Sequence, residues 1–502
     1  MTTSVIPALH DITHAHFLGV GGVGVSGIAR IFAARGITVT GTDAKDLPVM
    51  DQLRDQGATL YVGYAAENIA RAEADSGHPI DVIIASTVAG PDNPERQAAE
   101  AAGIPIYHRS QGLAAAMEGK KVLTVAGTHG KTTTSSMAAV TFASAGYEPS
   151  YAVGAAIANL GTNADHGAGE WFIAEADESD GSLLNYTPDI SIVTNIEADH
   201  LDYYGTEAAV HQVFTDFANR IRPDGALIIC ADDPGAAALG QRHRDAATVE
   251  SPRAKVYTYG LLTSMNPSGT INTHEQRLDL AITDIQPDLS GTGQQVTYRF
   301  ADGNYQVIRL ATPGTHNALN AAGVLLAAVI AGIPADAAAQ GLASFTGSAR
   351  RFEHHGTVND VRVYDDYAHH PTEVTAAITA ANAMAGGNKV HVIFQPHLYS
   401  RTQDFATEFA TALSNASTCR VLDIYRARET PIDGVTAELI TEQLSDELKT
   451  RDPHATQVAS RQHAVASVVQ TATPGDIILT LGAGDVNQLI DDILVGLDHR
   501  NH

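Results

Sequence analysis

The chain has 502 residues, with 31 Lys+Arg against 57 Asp+Glu, a formal net charge of −26 at pH 7 and 44% hydrophobic residues. That length corresponds to about three domains, and the acidity disfavours a nucleic acid or an anionic membrane as partner, since both need an electropositive face. Small anions stay open, because backbone N–H groups hold them without net positive charge.

Only two cysteines occur, Cys230 and Cys419. They argue against a disulfide framework and for a reducing compartment. The opening MTTSVIPALHDITHAHF lacks a basic segment and a long apolar core, so no secretory leader is expected and a cytoplasmic location is. The most apolar helical stretch, AAGVLLAAVIAGI at 321–333, is too short to span a bilayer and predicts a buried helix. Apolar β-rich runs alternate with Ala-rich stretches along the whole chain. This predicts an α/β protein of parallel sheets with crossover helices.

The first block, 1–119, opens with HAHFLGVGGVGVSGIARIFAARGITVTGTD. It predicts a strand, a glycine turn, an amphipathic helix and a second strand ending at Asp43. Gly19, Gly21, Gly22, Gly24 and Gly27 allow a tight turn and close approach of backbone N–H groups to a phosphate at the helix N-terminus. An acid at Asp43 suits ribose hydroxyls. The motif fits a nicotinamide dinucleotide or another diphosphate ligand such as a sugar nucleotide. DVIIAST and IPIYHR predict later strands.

The second block, 120–346, starts with KVLTVAGTHGKTT. It departs from the pattern G-x-x-x-x-G-K-[ST], because Val125 stands where the first glycine belongs. Gly127, Thr128, His129 and Gly130 still form a glycine-bearing turn into a helix, with Lys131 able to reach phosphates and Thr132 able to bind Mg²⁺. WFIAEAD delivers Glu175 and Asp177, and ISIVTNI delivers Glu197, Asp199, His200 and Asp202. These hard oxygens and an imidazole at strand ends suit Mg²⁺ beside phosphates. VTYRFADGNYQVIRLATPG predicts antiparallel strands, an added β-layer, and a helix from about Asn317 to Ala331 follows. Residues 240–256 read as a surface connection.

GSARRFEHHG, 347–356, has no apolar periodicity and is the expected linker. The third block, 347–502, has apolar runs ending in polar residues or glycine: VRVYDDYAHHP, KVHVIFQPH, CRVLDIYRARE and DIILTLGAGD.

Taken in order, FLGVGGVGVSG, AGTHGKTTT, EADESD, TNIEADHLD, GTHNALNA, ARRFEHHG, DDYAHHPTE, FQPHLYSRT and GAGD resemble the Mur ligase family across nearly the whole chain. The resemblance implies a Rossmann-like first domain for a UDP-sugar, a central P-loop-type ATPase domain, and a Rossmann-like C-terminal domain that completes the ATP site and binds an amino acid. It implies ATP and Mg²⁺ as cofactors. The substrates implied are UDP-N-acetylmuramate and L-alanine, joined through an acyl phosphate by a monomer or homodimer. Carried over residue by residue, Lys131, His200 and Arg351 are catalytic. Gly127, Thr128, His129, Gly130, Lys131, Thr132, Thr133, His316, Asn317, Asn320, Arg351 and Asp366 face ATP. The glycine turn and Asp43 face the UDP-sugar; Tyr367, His370, His397 and Arg401 face the amino acid; Thr132, Glu175 and His200 face metal. His200 or the pair His369/His370 is the expected aid to amine deprotonation. The bridging carbamylated lysine of several relatives has no counterpart, since no lysine lies between Lys131 and Lys255. Arg428 replaces an expected glycine. A ligase attaching a preformed peptide to the same sugar nucleotide shares most of these motifs, whereas a dehydrogenase leaves Lys131, Glu175 and His200 without a role.

Overall fold

The computed structural model describes residues 6–86, 89–265, 271–273, 278–288, 293–427 and 429–500. Arg428 and the side chain of Asp202 lie outside the described residues. Residues group into two compact units: Met1–Ile285 with Val296–Ile308 and Leu319–Phe345, and Thr346–His502 with Gln286–Gln295 and Arg309–Ala318.

Strands β1 (His14–Leu18), β2 (Thr38–Asp43), β3 (Thr59–Val62), β4 (Val82–Ala85) and β5 (Ile106–His108) form a parallel sheet in the order β3-β2-β1-β4-β5. The order reverses between β1 and β4, where the carboxyl ends of an open sheet leave a crevice for ligands. Gly19 leaves β1 with φ 75°, a left-handed conformation that glycine adopts without steric cost.

The second sheet contains β6 (Lys121–Ala126), β7 (Ser150–Ala152), β8 (Ala164–Asp165), β9 (Trp171–Glu175), β10 (Ile190–Val193), β11 (Ala226–Cys230) and β12 (Lys255–Leu261). A separate antiparallel pair is formed by β13 (Thr263–Met265) and β14 (Ile271–Thr273). Strands β15 (Leu280–Pro287), β16 (Gln294–Phe300) and β17 (Tyr305–Leu310) lengthen the second sheet at one edge, in the order β17-β16-β15-β12-β11-β10-β6-β9-β7-β8. The connection of β16 to β17 is too short for a parallel crossover, so this pair is antiparallel. Strand β6 sits between β10 and β9, parallel to both. The phosphate-loop candidate therefore leaves the middle of the sheet. Val125 is fully buried within β6, paired with Ile192 and Glu175. The position lacking the expected glycine is strand, and the turn begins only at Gly127.

The helix Lys131–Ser144 follows, buried on nearly every side. It packs closely on the helix Ala335–Ser344: a Cβ at Gly341 would lie 2.7 Å from Thr141 Cα. The predicted buried helix runs Thr315–Ile330, with Ala321, Val324, Leu325 and Ala328 in the core.

The third sheet holds β18 (Glu353–Val358), β19 (Val361–Asp366), β20 (Val390–Phe394), β21 (Thr418–Val421) and β22 (Ile477–Leu481), in the order β18-β19-β22-β20-β21. It is parallel except for β18. Val390, Val392 and Phe394 join one core cluster and Ile393 the other, as period-two alternation requires of a strand covered on both faces.

Two expectations need correction. The linker 347–356 overlaps β18, an antiparallel edge strand with no fully buried position. The connection at 240–256 begins inside the helix Pro234–Asp245, where Leu239 and His243 are buried.

Candidate active site

The turn after β6 is tied to the end of β10. Thr128 N–H donates to Asn195 O at 3.0 Å and His129 N–H to Asn195 Oδ1 at 2.7 Å, while Thr194 Oγ1 donates to His129 O at 2.7 Å. Gly127 and Gly130 have φ of 131° and 80°. A Cβ on Gly127 would fall 2.1 Å from Thr194 Oγ1, and one on Gly130 2.9 Å from Asn320 Oδ1. Glycine is required at both, and Asn320 lies against the loop. The helix dipole begins at Lys131, aimed at the turn.

Two side chains of the first helical turn meet acids from the end of β9. Lys131 Nζ donates to Gly127 O at 2.7 Å, Thr128 O at 3.0 Å and Glu178 Oε1 at 2.8 Å. Burial opposes its charge, but Glu178, Asp177 and Glu175 outweigh burial and raise the ammonium above its ordinary value. Burial pushes Glu178 up to about 7 against the pull of Lys131. Thr132 Oγ1 donates to Glu175 Oε2 at 2.9 Å, and Gly154 N–H donates to the same oxygen at 3.0 Å. A Cβ on Gly154 would lie 2.6 Å from Thr132 Oγ1 and 2.7 Å from Glu175 Oε2. A hydroxyl beside a carboxylate, in a cradle that a methyl group would fill, fits Mg²⁺. Thr133 is half-buried on the same turn.

His200 precedes the short helix Leu201–Tyr204 with φ 55°, a conformation uncommon for a residue with a Cβ. Its Nε2 lies 3.6 Å from Asp199 Oδ2 and 3.8 Å from Glu178 Oε1. Lys131, Glu178 and His200 therefore converge, whereas Glu197 faces His129 at 3.4 Å.

In the first block, Gly21 N–H donates to Asp43 Oδ2 at 2.9 Å, so Asp43 also shapes the glycine turn. Gly22 precedes the helix Val23–Ala34. Gly27 is a packing glycine: its Cβ would come 2.8 Å from Ala164 Cβ on β8. A Cβ on Gly24 would lie 3.7 Å from Arg109 Cδ and Nη1. Arg109 in turn meets Asp177 at 3.2 Å and Asp180 at 3.6 Å. It links the glycine turn to the acid-rich turn after β9.

In the second unit, Asp366 at the end of β19 accepts from Phe352 N–H at 2.8 Å and Ala368 N–H at 2.7 Å. Burial pushes this carboxyl up to about 7, with Arg351 pulling the other way. Tyr367 is flanked by the guanidinium carbons of Arg350 at 5.0 Å and Arg351 at 5.2 Å. Arg350 is bonded to Asp365, Gly482 and Gly484. A run of rings, Tyr367–His369–His397–Tyr425, has centroid spacings of 5.3, 6.0 and 5.8 Å. Burial, with the charge of Arg401 adding to it, lowers His397 to about 4. Burial also lowers His369 to about 3, against the pull of Glu373. His370 Nδ1 accepts from Thr372 N–H at 3.4 Å as the cap of the helix Pro371–Ala385. His316 is exposed and folded against Gly314, and Asn317 Nδ2 donates to Pro313 O at 2.7 Å.

The similarities run through all three blocks. Residues 14–121 match the Mur ligase family catalytic domain, 125–328 the Mur ligase middle domain and 350–484 the Mur ligase glutamate ligase domain. The UDP-N-acetylmuramate–L-alanine ligase of Paenarthrobacter aurescens is 49% identical over 486 residues, 97% of each chain. The chain belongs to the Mur ligase family. The like-named enzyme of a Mycobacterium species (strain JLS) is 44% identical over 503 residues, covering 100% of this chain and 98% of its own. Among solved structures, the UDP-N-acetylmuramate–alanine ligase of Thermotoga maritima superposes with a TM-score of 0.74 at 23% identity, covering 96% of this chain and 98% of the other. A murein peptide ligase from Psychrobacter arcticus does so at 0.66 and 23%, covering 97% and 99%. At that identity these two superpositions bear on the fold.

Sequence reasoning missed four residues that shape this arrangement in the Mur ligase: Glu178, Gly154, Arg109 and Asn195. Glu178 stood in EADESD as one acid among several, and its partner is Lys131, 47 positions away. Arg109 had no local signal, since its acids come from another block. Among the described residues no helix is long and apolar enough to cross a membrane.

Proposed function

We propose that the chain joins L-alanine to the lactyl carboxylate of UDP-N-acetylmuramate, consuming ATP and releasing ADP and phosphate. The product is UDP-N-acetylmuramoyl-L-alanine, made in the cytoplasm for peptidoglycan. The observation that carries the chemistry is the convergence of Lys131, the Thr132–Glu175 pair and His200 at the carboxyl ends of β6, β9 and β10. The substrates follow from full-length similarity to alanine-adding relatives.

The lactyl carboxylate is ionised at pH 7, so phosphoryl transfer to it needs positioning and charge neutralisation rather than a base. Lys131 and the helix N-terminus at 130–133 receive the phosphates, the N–H groups of Thr128 and His129 being taken by Asn195. Thr132 and Glu175 would hold Mg²⁺, with His200 beside a second ion. When bound, the metal neutralises phosphate charge. Asn320 borders the turn at Gly130, and His316, Asn317, Arg351 and Asp366 are further residues assigned to ATP on the family resemblance. The glycine turn with Asp43 holds the UDP-sugar. Tyr367, His370, His397 and Arg401 belong to the amino-acid side. Residues 1–119, 120–346 and 347–502 are the corresponding sugar-nucleotide, ATP and amino-acid domains, in a monomer or homodimer.

The test mixes protein, ATP, Mg²⁺ and UDP-N-acetylmuramate with L-alanine, glycine, L-serine or the tripeptide, and follows phosphate release. Release with L-alanine is expected. Release with the tripeptide alone would select the peptide-adding reaction instead.

A further inference from the structure

An ammonium group has three N–H donors and no acceptor. In Lys131 all three are engaged by protein oxygens: Gly127 O at 2.7 Å, Thr128 O at 3.0 Å and Glu178 Oε1 at 2.8 Å. A phosphate oxygen that takes a hydrogen bond from Lys131 must therefore displace one of these.

The three acceptors are not equally replaceable. Gly127 and Thr128 lie in the turn itself, pinned by Thr128 N–H to Asn195 O at 3.0 Å and by Glu197 N–H to Thr128 Oγ1 at 2.9 Å. Their carbonyls are neutral and tolerate a phosphate beside them. Glu178 is a carboxylate on a rotatable side chain, and its charge repels an incoming phosphate at close range. Its Oε2 is buried without a hydrogen-bond partner, and the Lys131 bond is made through Oε1 alone. His200 Nε2, 3.8 Å from Oε1, offers a second place for it to face. The backbone is held independently, since Tyr204 OH donates to Glu178 O. The side chain can thus leave Lys131 without moving the turn.

We infer that Glu178 is a positioning residue that occupies the phosphate-facing donor of Lys131 and yields it to the nucleotide. This rests on the reading of Lys131 as a phosphate residue. It assigns Glu178 two effects: it keeps the lysine charged and folded over the turn, and it lowers nucleotide affinity by competing for the same N–H group.

The test measures ADP affinity by calorimetry in EDTA, so that metal binding does not enter. Glu178→Gln keeps the shape and removes the charge, and it should tighten ADP about 3- to 10-fold, on the scale of one surface-to-buried charge contact. In a Lys131→Met background the same change should tighten ADP clearly less, because there is no donor to compete for and only the direct charge repulsion remains. Unchanged or weaker ADP binding in Glu178→Gln would overturn the inference, as would equal tightening in both backgrounds, which would mark a bulk charge effect. Glu178→Ala gives the same sign if the amide variant does not fold. If the wild-type protein binds no ADP under any condition, the phosphate-loop reading itself fails, a separate outcome from these.

Discussion

Replacing Gly154 by alanine probes the proposed metal cradle without touching a proposed ligand. The added Cβ would sit 2.6 Å from Thr132 Oγ1 and 2.7 Å from Glu175 Oε2. Ordinary contact needs roughly 3.4 Å, so each oxygen must retreat by about 0.7 Å or the turn around 154 must move. Thr132 has a short side chain buried on the first helical turn, and the Glu175 carboxylate is held by Thr132 Oγ1 and Gly154 N–H, so a retreat breaks both hydrogen bonds. Overpacking of this kind costs about 1–3 kcal/mol, and an ångström-scale misplacement at a reacting centre costs up to about 100-fold in rate. The expected outcome is a 10- to 100-fold loss in kcat/KM, with a raised Mg²⁺ requirement in the phosphate-release assay. UDP-N-acetylmuramate binding should stay near wild type. Full activity with an unchanged Mg²⁺ titration would refute the placement of the ion between Thr132 and Glu175.

Lys131→Ala should abolish phosphate release while preserving UDP-sugar binding by calorimetry, because the glycine turn lies on a different sheet. Arg109→Ala leaves Asp177 and Asp180 without their guanidinium; the pair is partly exposed, so the loss should be about 1–3 kcal/mol, read as a lower urea midpoint, with partial recovery in Arg109→Ala/Asp177→Asn. For Asp366, burial lifts the folded carboxyl from 3.8 to about 7. The folded chain therefore holds a proton between those values that the unfolded chain has released, so this group's contribution to stability falls as pH rises through the window and is flat above it. Urea midpoints measured from pH 4.5 to 8 should show a shallower decline for Asp366→Asn than for wild type.

Much of the site was legible because its parts are local. The run Gly127–Thr132 carries its own turn chemistry, and Glu175 closes an apolar strand that sequence alone delimits. Val125 was misleading only while the turn was assumed to start there; its place inside β6 removes the anomaly. What could not be read depends on distant packing. Glu178 is distinguished from Asp177 and Asp180 only by how the chain bends after β9 to bring it under Lys131. Gly154 matters through a contact across the sheet from β7 to β9. The strand β18 escaped because an edge strand with no buried position has no apolar period to detect. The end of the helix Pro234–Asp245, 240–245, escaped because only Gly240 and His243 of it are buried, among charged neighbours.

The central claim is that the γ-phosphoryl group passes to the lactyl carboxylate. The most direct measurement uses UDP-N-acetylmuramate labelled with ¹⁸O in that carboxylate, turned over with ATP, Mg²⁺ and L-alanine in ordinary water. The released phosphate is then analysed by mass spectrometry. One ¹⁸O in each phosphate released is the predicted result. Phosphate free of label, formed at the same rate as the amide product, would contradict the account.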